Sequence, residues 1–290
     1  MTAPLNIVGS TFTYEMLSNV ARKVYEVKYP EYNALSIFPV SQDARPFDSF
    51  YSYEVMDFVG KAKIVSDYAD DLPTVDAVSA INNKPIFTLG DSYVYSHLEI
   101  EAAIANRKPL QEYKGKAARL AIDALVNQLT VYGDDNYNLT GLLTDQSIPR
   151  VAAAVGVGGS TLWSQKTAQE ILADLNNLVQ AIIVNSKNVE RPNRIVISNI
   201  SFGILQNTLT AAVGGVSALA YFKSTNPFIE DIIPMWELDN AGPGGTNMAI
   251  AFNNDPSKIS IELPQVFRQL DPQLRNLTYY TLCYARYAGL

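Results

Sequence analysis

The chain has 290 residues and a formal net charge of −7, from 22 basic and 29 acidic side chains. This acidic balance argues against a protein whose main work is to hold nucleic acid. The sequence has no run of roughly 18 apolar residues, the minimum for a membrane span, and its one cysteine, Cys283, fits a reducing compartment. The length and the 48% hydrophobic content predict a sizeable core in one large domain or two interleaved domains.

The first 46 residues are predicted to form an arm. Residues 13–29 place apolar side chains at helical spacing, and Pro30 ends that pattern. Residues 31–46 are irregular and rich in turn-forming residues. The arm carries too few apolar residues to fold alone, so it should lead to a larger body.

Residues 47–75 predict an extended β-hairpin. Side chains alternate in character from residue 50 to residue 57, the period of a strand, and Gly60 suits the hairpin loop. Residues 62–66 are predicted to form the returning strand. An isolated two-stranded hairpin is marginal in water, so this one must pack either on its own domain or on a partner subunit.

Residues 109–132 predict the longest helix of the chain, which Gly133 ends. It follows a predicted strand–turn–strand at residues 85–95 and a short helix at residues 98–106. The predicted buried face of the long helix consists of Ala117, Leu120, Ala121, Ala124 and Leu125. The predicted polar stripe consists of Lys116, Arg119, Asp123, Asn127 and Thr130.

The second half of the chain predicts an α/β layer, because helical and strand patterns alternate. Its glycine-rich start, residues 152–161, lacks the lysine of a phosphate-binding loop and is interpreted as a flexible link. The predicted helices are residues 167–186 and 201–213. The predicted strands are residues 194–198, 228–238 (an edge strand, because it contains Pro234), 248–252, 258–263 and 277–290.

Groups for catalysis are scarce. His97 is the only histidine and is interpreted as structural, and the metal-binding spacings HExxH and CxxC are absent. The adjacent carboxylates at residues 70–71 and 134–135 fall in turns, where solvated caps are the ordinary explanation. We therefore predict no catalytic, cofactor or metal site, although a carboxylate-dependent α/β enzyme remains an alternative.

The order of these segments resembles a known family. The resemblance extends from about residue 47 to the end, and it rests on the order of the motifs rather than on any one of them. The motifs are GKAKIV (residues 60–65), DDLPTVD (70–76), YSHLEIEAA (95–103), VYGDDNYNLTGLL (131–143) and LCYARYAGL (282–290). In this order they resemble the major capsid proteins of tailed bacteriophages, whose α+β architecture is the Hong Kong 97-type fold.

The resemblance implies four regions: an N-terminal arm, an extended hairpin called the E-loop, a peripheral domain containing the long "spine" helix, and an α/β axial domain. Their expected bounds are residues 1–46, 47–75, 76–137 (completed by 263–290) and 138–262, respectively.

The resemblance also implies candidate interface residues of three kinds. The E-loop would contact a neighbouring subunit through Tyr51, Tyr53, Val55, Phe58, Gly60, Lys61 and Lys63. A loop at the capsomer centre would present Asn240, Gly242, Pro243, Gly244 and Gly245. The spine helix would contribute Leu120, Ala124 and Leu125. Lys61 and Lys63 could take part in covalent cross-linking, but lysines that protect a strand edge are the commoner explanation.

The implied function is self-assembly through pentamers and hexamers into an icosahedral shell around double-stranded DNA. The implied location is the virion capsid, after assembly in the host cytoplasm and with no membrane. Candidate partners are portal, scaffolding and decoration proteins, together with weak non-specific contact with packaged DNA. A second interpretation within the same fold is an encapsulin-like compartment, whose cargo is protein.

Overall fold

The computed structural model describes residues 32–64, 74–106, 110–210 and 214–290. The helix predicted at residues 13–29 and the carboxylates at residues 70–71 lie outside the described residues. The described part is a mixed structure of helices and strands.

The first half of the chain supplies most of one body. Its helices are α1 (Ala34–Ile37), α2 (His97–Ala105) and α3 (Leu110–Val131). Its strands are β1 (Val40–Ser41), β2 (Phe50–Val59), β3 (Asp76–Pro85), β4 (Phe87–Ser96), β5 (Gly133–Asp134) and β6 (Leu139–Thr140).

The second half supplies an α/β body and then returns to the first. Its helices are α4 (Ala168–Asn185), α5 (Asn199–Asn207) and α6 (Ala218–Thr225). Its strands are β7 (Arg194–Ser198), β8 (Leu209–Thr210), β9 (Val216–Ser217), β10 (Asp231–Met235), β11 (Ala249–Phe252), β12 (Ile261–Glu262), β13 (Gln265–Gln269), β14 (Gln273–Arg275) and β15 (Thr278–Tyr287).

The long final strand is the centre of the larger sheet. Strand β15 pairs antiparallel with β4 over its whole length, from Thr278 opposite Ser96 to Tyr287 opposite Phe87, and with β13 and β14 on its other side. One face of this sheet packs against α3, and its buried residues are Leu89, Tyr93, Tyr95, Thr281, Cys283, Ala285 and Tyr287. The final strand was predicted, and its place beside β4 follows from its alternating apolar residues.

Helix α3 has the predicted extent but buries a different face. The side chains that enter the core are Ala118, Ile122, Val126, Leu129 and Val131. The predicted face is wrong, since Leu120 and Ala124 are only half-buried and Leu125 is exposed. The predicted polar stripe is also wrong at its end, where Asn127 and Thr130 are buried. Apolar residues lie on two sides of this helix, so spacing alone could not identify the buried side.

The smaller sheet lies between two hydrophobic clusters. Its strand order is β10–β7–β11, with β10 parallel and β11 antiparallel to the central β7. Ile195 and Ile197 of β7 contact the cluster formed with α4, α5 and α6, whereas Val196 contacts the cluster that contains α3. Pro234 lies on the edge strand β10, as predicted, because proline cannot donate to a ladder. The two faces of the smaller sheet therefore pack against different clusters, and through Val196 the sheet contacts the cluster that contains α3.

The glycine-rich segment at residues 152–161 is anchored to the start of α4. The backbone N–H of Val157 donates to Glu170 at 2.6 Å, and that of Ala154 donates to Asp174 at 3.3 Å. Asp174 also accepts from Trp163 Nε1 at 2.9 Å and pairs with the buried ammonium of Lys166. The predicted flexible link is thus fixed by carboxylates in the first two turns of the helix.

Several predicted boundaries are wrong. Residues 87–96 form one continuous strand without a turn, and the helix predicted at residues 201–213 ends at Asn207, where the short β8–β9 ladder begins. The strand predicted at residues 228–238 is shorter, and its end is a 3₁₀ turn at Trp236–Leu238. Only Ile261–Glu262 is a strand within residues 258–263, and it pairs with β1.

Candidate functional site

Strands β2 and β3 form a long two-stranded ribbon. They pair antiparallel from Phe50 opposite Pro85 to Val59 opposite Asp76. The returning strand is therefore β3, and the prediction that residues 62–66 return is wrong because residues 61–64 lie in the loop. At about 3.3 Å per residue the ribbon is roughly 33 Å long.

The ribbon has no core of its own. Its exposed apolar side chains are Phe50, Tyr53, Val55, Met56, Phe58, Val59, Val78 and Ile81. Phe58 is 76% exposed, so the described part of the chain leaves its ring almost entirely in water. Since an isolated ribbon is marginal in water, this surface needs a partner.

The two faces of the ribbon follow from its register, because residues directly opposite each other share a face. One face carries Phe50, Ser52, Glu54, Met56 and Phe58 from β2, with Ala77, Ser79, Ile81 and Asn83 from β3. The other carries Tyr51, Tyr53, Val55, Asp57 and Val59, with Asp76, Val78, Ala80, Asn82 and Lys84. Both faces mix apolar and polar side chains, so neither face can act as the buried side of a core.

The predicted hairpin residues occupy two different environments. Tyr51 is half-buried at the base, where its ring lies 5.9 Å from that of Tyr53. Tyr53, Val55 and Phe58 are exposed along the ribbon, and Gly60, Lys61 and Lys63 are exposed in the loop that follows β2. A Cβ on Gly60 would lie 2.8 Å from the side chain of Val75, so glycine allows the close approach of these two loop ends.

The base of the ribbon is firmly held, in contrast to its length. Lys84 Nζ donates to the main-chain oxygen of Leu290 at 2.7 Å, and the buried carboxylate of Glu262 accepts from the backbone N–H of Ala44 at 2.9 Å. Arg286 donates to the carbonyl oxygen of Pro46. These contacts fix the direction in which the ribbon leaves the body.

Burial at this base also changes two pKa values. Burial, with the nearby carboxylates of Glu262 and Asp43, raises the pKa of Tyr51. Burial lowers the pKa of Lys84, while the carboxylate of Asp145 opposes that change.

The second predicted interface, residues 239–247, is a tight loop closed on itself. The backbone N–H of Gly242 donates to the carbonyl oxygen of Thr246 at 2.7 Å. Gly244 and Gly245 have φ of +69° and +76°, which favour glycine, and a Cβ on Gly242 would lie 2.4 Å from Thr246 Oγ1. Asn240 also has positive φ, and Pro243, Gly244 and Gly245 form the exposed tip. The loop is thus a preshaped protrusion.

The predicted residues of the long helix lie on the side of α3 that faces away from the core. Leu120 and Ala124 are half-buried and Leu125 is 36% exposed. Tyr113 and Tyr132 are 37% and 43% exposed. Ion pairs between Glu112 and Lys116 and between Arg119 and Asp123 lie on a separate side.

The described groups that were considered for catalysis make local contacts within their own segments. His97 Nε2 lies 3.2 Å from Glu101 Oε1, one turn along the exposed helix α2. Asp134 accepts from the backbone N–H of Asn136 at 3.0 Å, so it caps the 3₁₀ turn Asp135–Tyr137. In residues 32–64, 74–106, 110–210 and 214–290, no three His, Cys, Asp or Glu side chains are grouped to hold a metal ion. No helix in the described part of the chain is long and apolar enough to cross a membrane.

Solved structures share this fold at low sequence identity. The capsid of Myoviridae phage XM1 matches with a TM-score of 0.77 at 15% identity, covering 95% of this chain and 92% of that chain. A structure from Mycobacterium phage Adephagia matches with a TM-score of 0.60 at 14% identity, covering 96% and 90%. A virus-like particle from Pyrococcus furiosus matches with a TM-score of 0.54 at 16% identity, covering 88% and 86%. At these identities the likeness establishes the fold.

The sequence comparisons identify the family. No curated protein matches the chain. The family profile described as "Major capsid protein" matches residues 60–290, which is well over half of the sequence. The chain therefore belongs to the major capsid protein family.

Proposed function

We propose that this chain builds the icosahedral shell of a tailed phage, through pentamers and hexamers, around a double-stranded DNA genome. Membership of the major capsid protein family and the fold shared with the XM1 capsid support this function. The specific architecture is the Hong Kong 97-type fold, with the β2–β3 ribbon as the E-loop and α3 as the spine helix. The ribbon then lies across a neighbouring subunit.

The observation that carries the proposal is the ribbon itself. Its apolar side chains are exposed on both faces, yet its base is fixed by Lys84, Arg286 and Glu262. Each apolar side chain that becomes buried contributes about 1.5–3 kcal/mol. A shell engages many such weak contacts at once, so its dissociation is slow even when each contact is weak.

The rest of the chain is assigned to three further regions. We assign residues 1–46 to the arm, residues 86–137 with 263–290 to the peripheral domain, and residues 138–262 to the axial domain. The peripheral domain starts at residue 86 rather than at the expected residue 76, because β3 belongs to the ribbon. The antiparallel pairing of β4 with β15 supports the return of residues 263–290 to the first body. The preshaped loop at residues 239–247 suits a position at the capsomer centre, where its exposed Pro243 and glycines can approach copies of themselves.

The net charge of the chain is relevant to what the assembled shell encloses and to its partners. A subunit with net charge −7 makes weak, non-specific contact with DNA, which leaves the genome free to be packed and released. Assembly takes place in the host cytoplasm and involves portal, scaffolding and decoration proteins as separate chains. An encapsulin-like shell would contain protein cargo, so nuclease-protected DNA inside purified shells distinguishes the two functions.

The experiment replaces residues 52–83 with a short Gly-Ser linker. Tyr51 and Lys84, the residues on either side of the replaced segment, are cross-strand partners, so a short linker joins them without strain. We expect a folded subunit with unchanged circular dichroism that forms no shells by electron microscopy and light scattering. Closed shells from this variant would refute the proposal.

A point variant provides a second test in case the deletion variant misfolds. Phe58→Asp places a charge where the described structure leaves the side chain in water, so folding should be unaffected. Assembly should fail, because the charge would be buried at the contact with the neighbour. Lys223→Glu, on the exposed end of α6, is the matched surface control and should assemble normally.

A further inference from the structure

One face of the ribbon carries an exposed methionine near its centre. This face, which we call the methionine face, consists of Phe50, Ser52, Glu54, Met56 and Phe58 of β2, with Ala77, Ser79, Ile81 and Asn83 of β3. Its large apolar side chains are between 61% and 76% exposed, and they are Phe50, Met56, Phe58 and Ile81. Glu54 is the only charged residue of this face, whereas the opposite face of the ribbon carries three. Burial of the methionine face therefore removes fewer charges from water.

The thioether of Met56 is open to small reagents in the unassembled subunit. Its side chain is 61% exposed. Ser79 lies directly opposite on β3 and Ala77 lies on the diagonal, and both side chains are too small to shield the sulfur. An exposed methionine is a common target of oxidation to the sulfoxide, which is polar and disrupts apolar contacts.

The other sulfur atoms of the described residues are protected. Met235 is fully buried, and Met248 is half-buried against the core. Cys283 is buried, and burial, together with the carboxylate of Asp91, raises its pKa, so little of the reactive thiolate is present. Within residues 32–64, 74–106, 110–210 and 214–290, Met56 is therefore the sulfur that an oxidant reaches most easily.

We propose that Met56 is an oxidation-sensitive modification site: hydrogen peroxide converts it to methionine sulfoxide in the free subunit, and the sulfoxide blocks assembly. This inference rests on the proposed function, because it requires that the methionine face becomes buried in the shell. A lone pair of the sulfur attacks one peroxide oxygen, so the S–O bond forms as the O–O bond breaks. The proton of the transferred hydroxyl passes to the departing hydroxide, which leaves as water. The sulfur is oxidised and the peroxide is reduced.

The effect on assembly follows from the polarity of the new group. The sulfoxide oxygen is a strong hydrogen-bond acceptor at the centre of an otherwise apolar patch. If that patch is buried at a subunit contact, the oxygen loses its water without gaining a partner. The penalty applies to every subunit of a shell, so it acts on many contacts at once. The same burial protects the unmodified thioether once a shell has closed.

The test treats unassembled subunits with dilute hydrogen peroxide before assembly is started. Peptide mass spectrometry should locate one added oxygen at Met56, and circular dichroism should be unchanged, because this side chain lies in water. The assembled fraction, measured by light scattering and electron microscopy, should fall roughly tenfold or more. Methionine sulfoxide reductases of both epimer specificities, supplied with dithiothreitol, should restore it. In preformed shells, Met56 should be oxidised roughly tenfold more slowly or less.

Met56→Leu is the matched variant, because it has no thioether at this position. Whatever its untreated assembled fraction, peroxide should leave that fraction unchanged. A peroxide-dependent loss of assembly in Met56→Leu would assign the effect to another residue and overturn the inference.

Two further results would overturn the inference while leaving a shell protein. One is normal assembly of subunits in which Met56 is fully oxidised, and the other is an equal oxidation rate of Met56 in subunits and in shells. Closed shells from the variant that lacks residues 52–83 would instead refute the proposed function.

Discussion

The side-chain amide of Asn127 donates to the buried carboxylate of Glu237 at 2.6 Å. Asn127 also accepts from the backbone N–H of Ala34 at 3.0 Å, so one side chain joins α3, the start of α1 and the 3₁₀ turn after β10. Glu237 Oε2 has no hydrogen-bond partner within the described residues. The carboxylate is therefore held through one oxygen by one amide.

This dependence predicts a large effect of a small substitution. Asn127→Ala should lower the free energy of unfolding by about 1–3 kcal/mol or more, because it leaves the Glu237 carboxylate and the Ala34 N–H buried without partners. Urea unfolding followed by circular dichroism measures this. Gln128→Ala, at the adjacent exposed position, should change stability little; equal losses in the two variants would contradict the assigned role.

The buried face of α3 can be tested by paired truncations. Ile122→Ala should lower the free energy of unfolding by about 2–5 kcal/mol, because the side chain is 3% exposed and its loss leaves a cavity. Leu125→Ala removes a side chain that is 36% exposed, so it should lower the free energy of unfolding of the unassembled subunit far less. Thermal melting of the two variants measures both losses. A larger loss for Leu125→Ala than for Ile122→Ala would support the buried face predicted from the sequence.

The ion pair of Lys166 and Asp174 should matter more than one at the surface. Its side chains are 1% and 6% exposed, so Asp174→Ala leaves a buried ammonium without its counter-ion. We expect a loss of about 3–5 kcal/mol. The pair of Glu190 and Lys258 is 28% and 48% exposed, and Glu190→Ala should cost about 1 kcal/mol or less.

Denaturant unfolding compares these two variants, and Trp163 fluorescence provides a local signal, since its indole also donates to Asp174. A small loss for Asp174→Ala would mean that the segment at residues 152–161 does not depend on this anchor.

The carboxylate of Glu170 predicts an acid-sensitive contribution to stability. Backbone N–H groups of Thr167 and Val157, with the Thr167 hydroxyl, hold the pKa of Glu170 below its ordinary 4.5. Because the folded pKa is the lower one, the stabilisation is present at neutral pH and is lost as the pH falls through the folded pKa. The stability difference between wild type and Glu170→Gln should therefore be largest near pH 7 and shrink in acid. Glu54→Gln, at an exposed position on the ribbon, is the control for the substitution itself and should change the free energy of unfolding little.

The parts of the fold that the sequence predicted well are those where one local signal dominates. Helix α4 begins at a capping box of Thr167 and Glu170, and its bounds were predicted within one residue at each end. Strand β7 (RIVIS) was predicted because a short apolar run between polar ends has few alternatives.

The sequence did not predict the structure correctly where two local conformations or two helix faces were about equally favourable. Ala117 and Ala118 are equally small, and only the tertiary packing of α3 decides which of them is buried. Strand β3 (DAVSAINNKP) has weak alternation and two asparagines, so only its pairing with β2 makes it a strand.

The short connection between β3 and β4 has a mechanical consequence. Only Ile86 separates Pro85 from Phe87, so a pull on the ribbon passes directly along the backbone into β4. Strand β4 is held by β15 over ten residue pairs that run parallel to such a pull. In that direction the ladder is loaded in shear, so its hydrogen bonds share the force and must break together rather than unzip one by one. The ribbon is thus attached to a strand that is paired along its whole length. A pull between neighbouring subunits can therefore be resisted without unfolding either subunit.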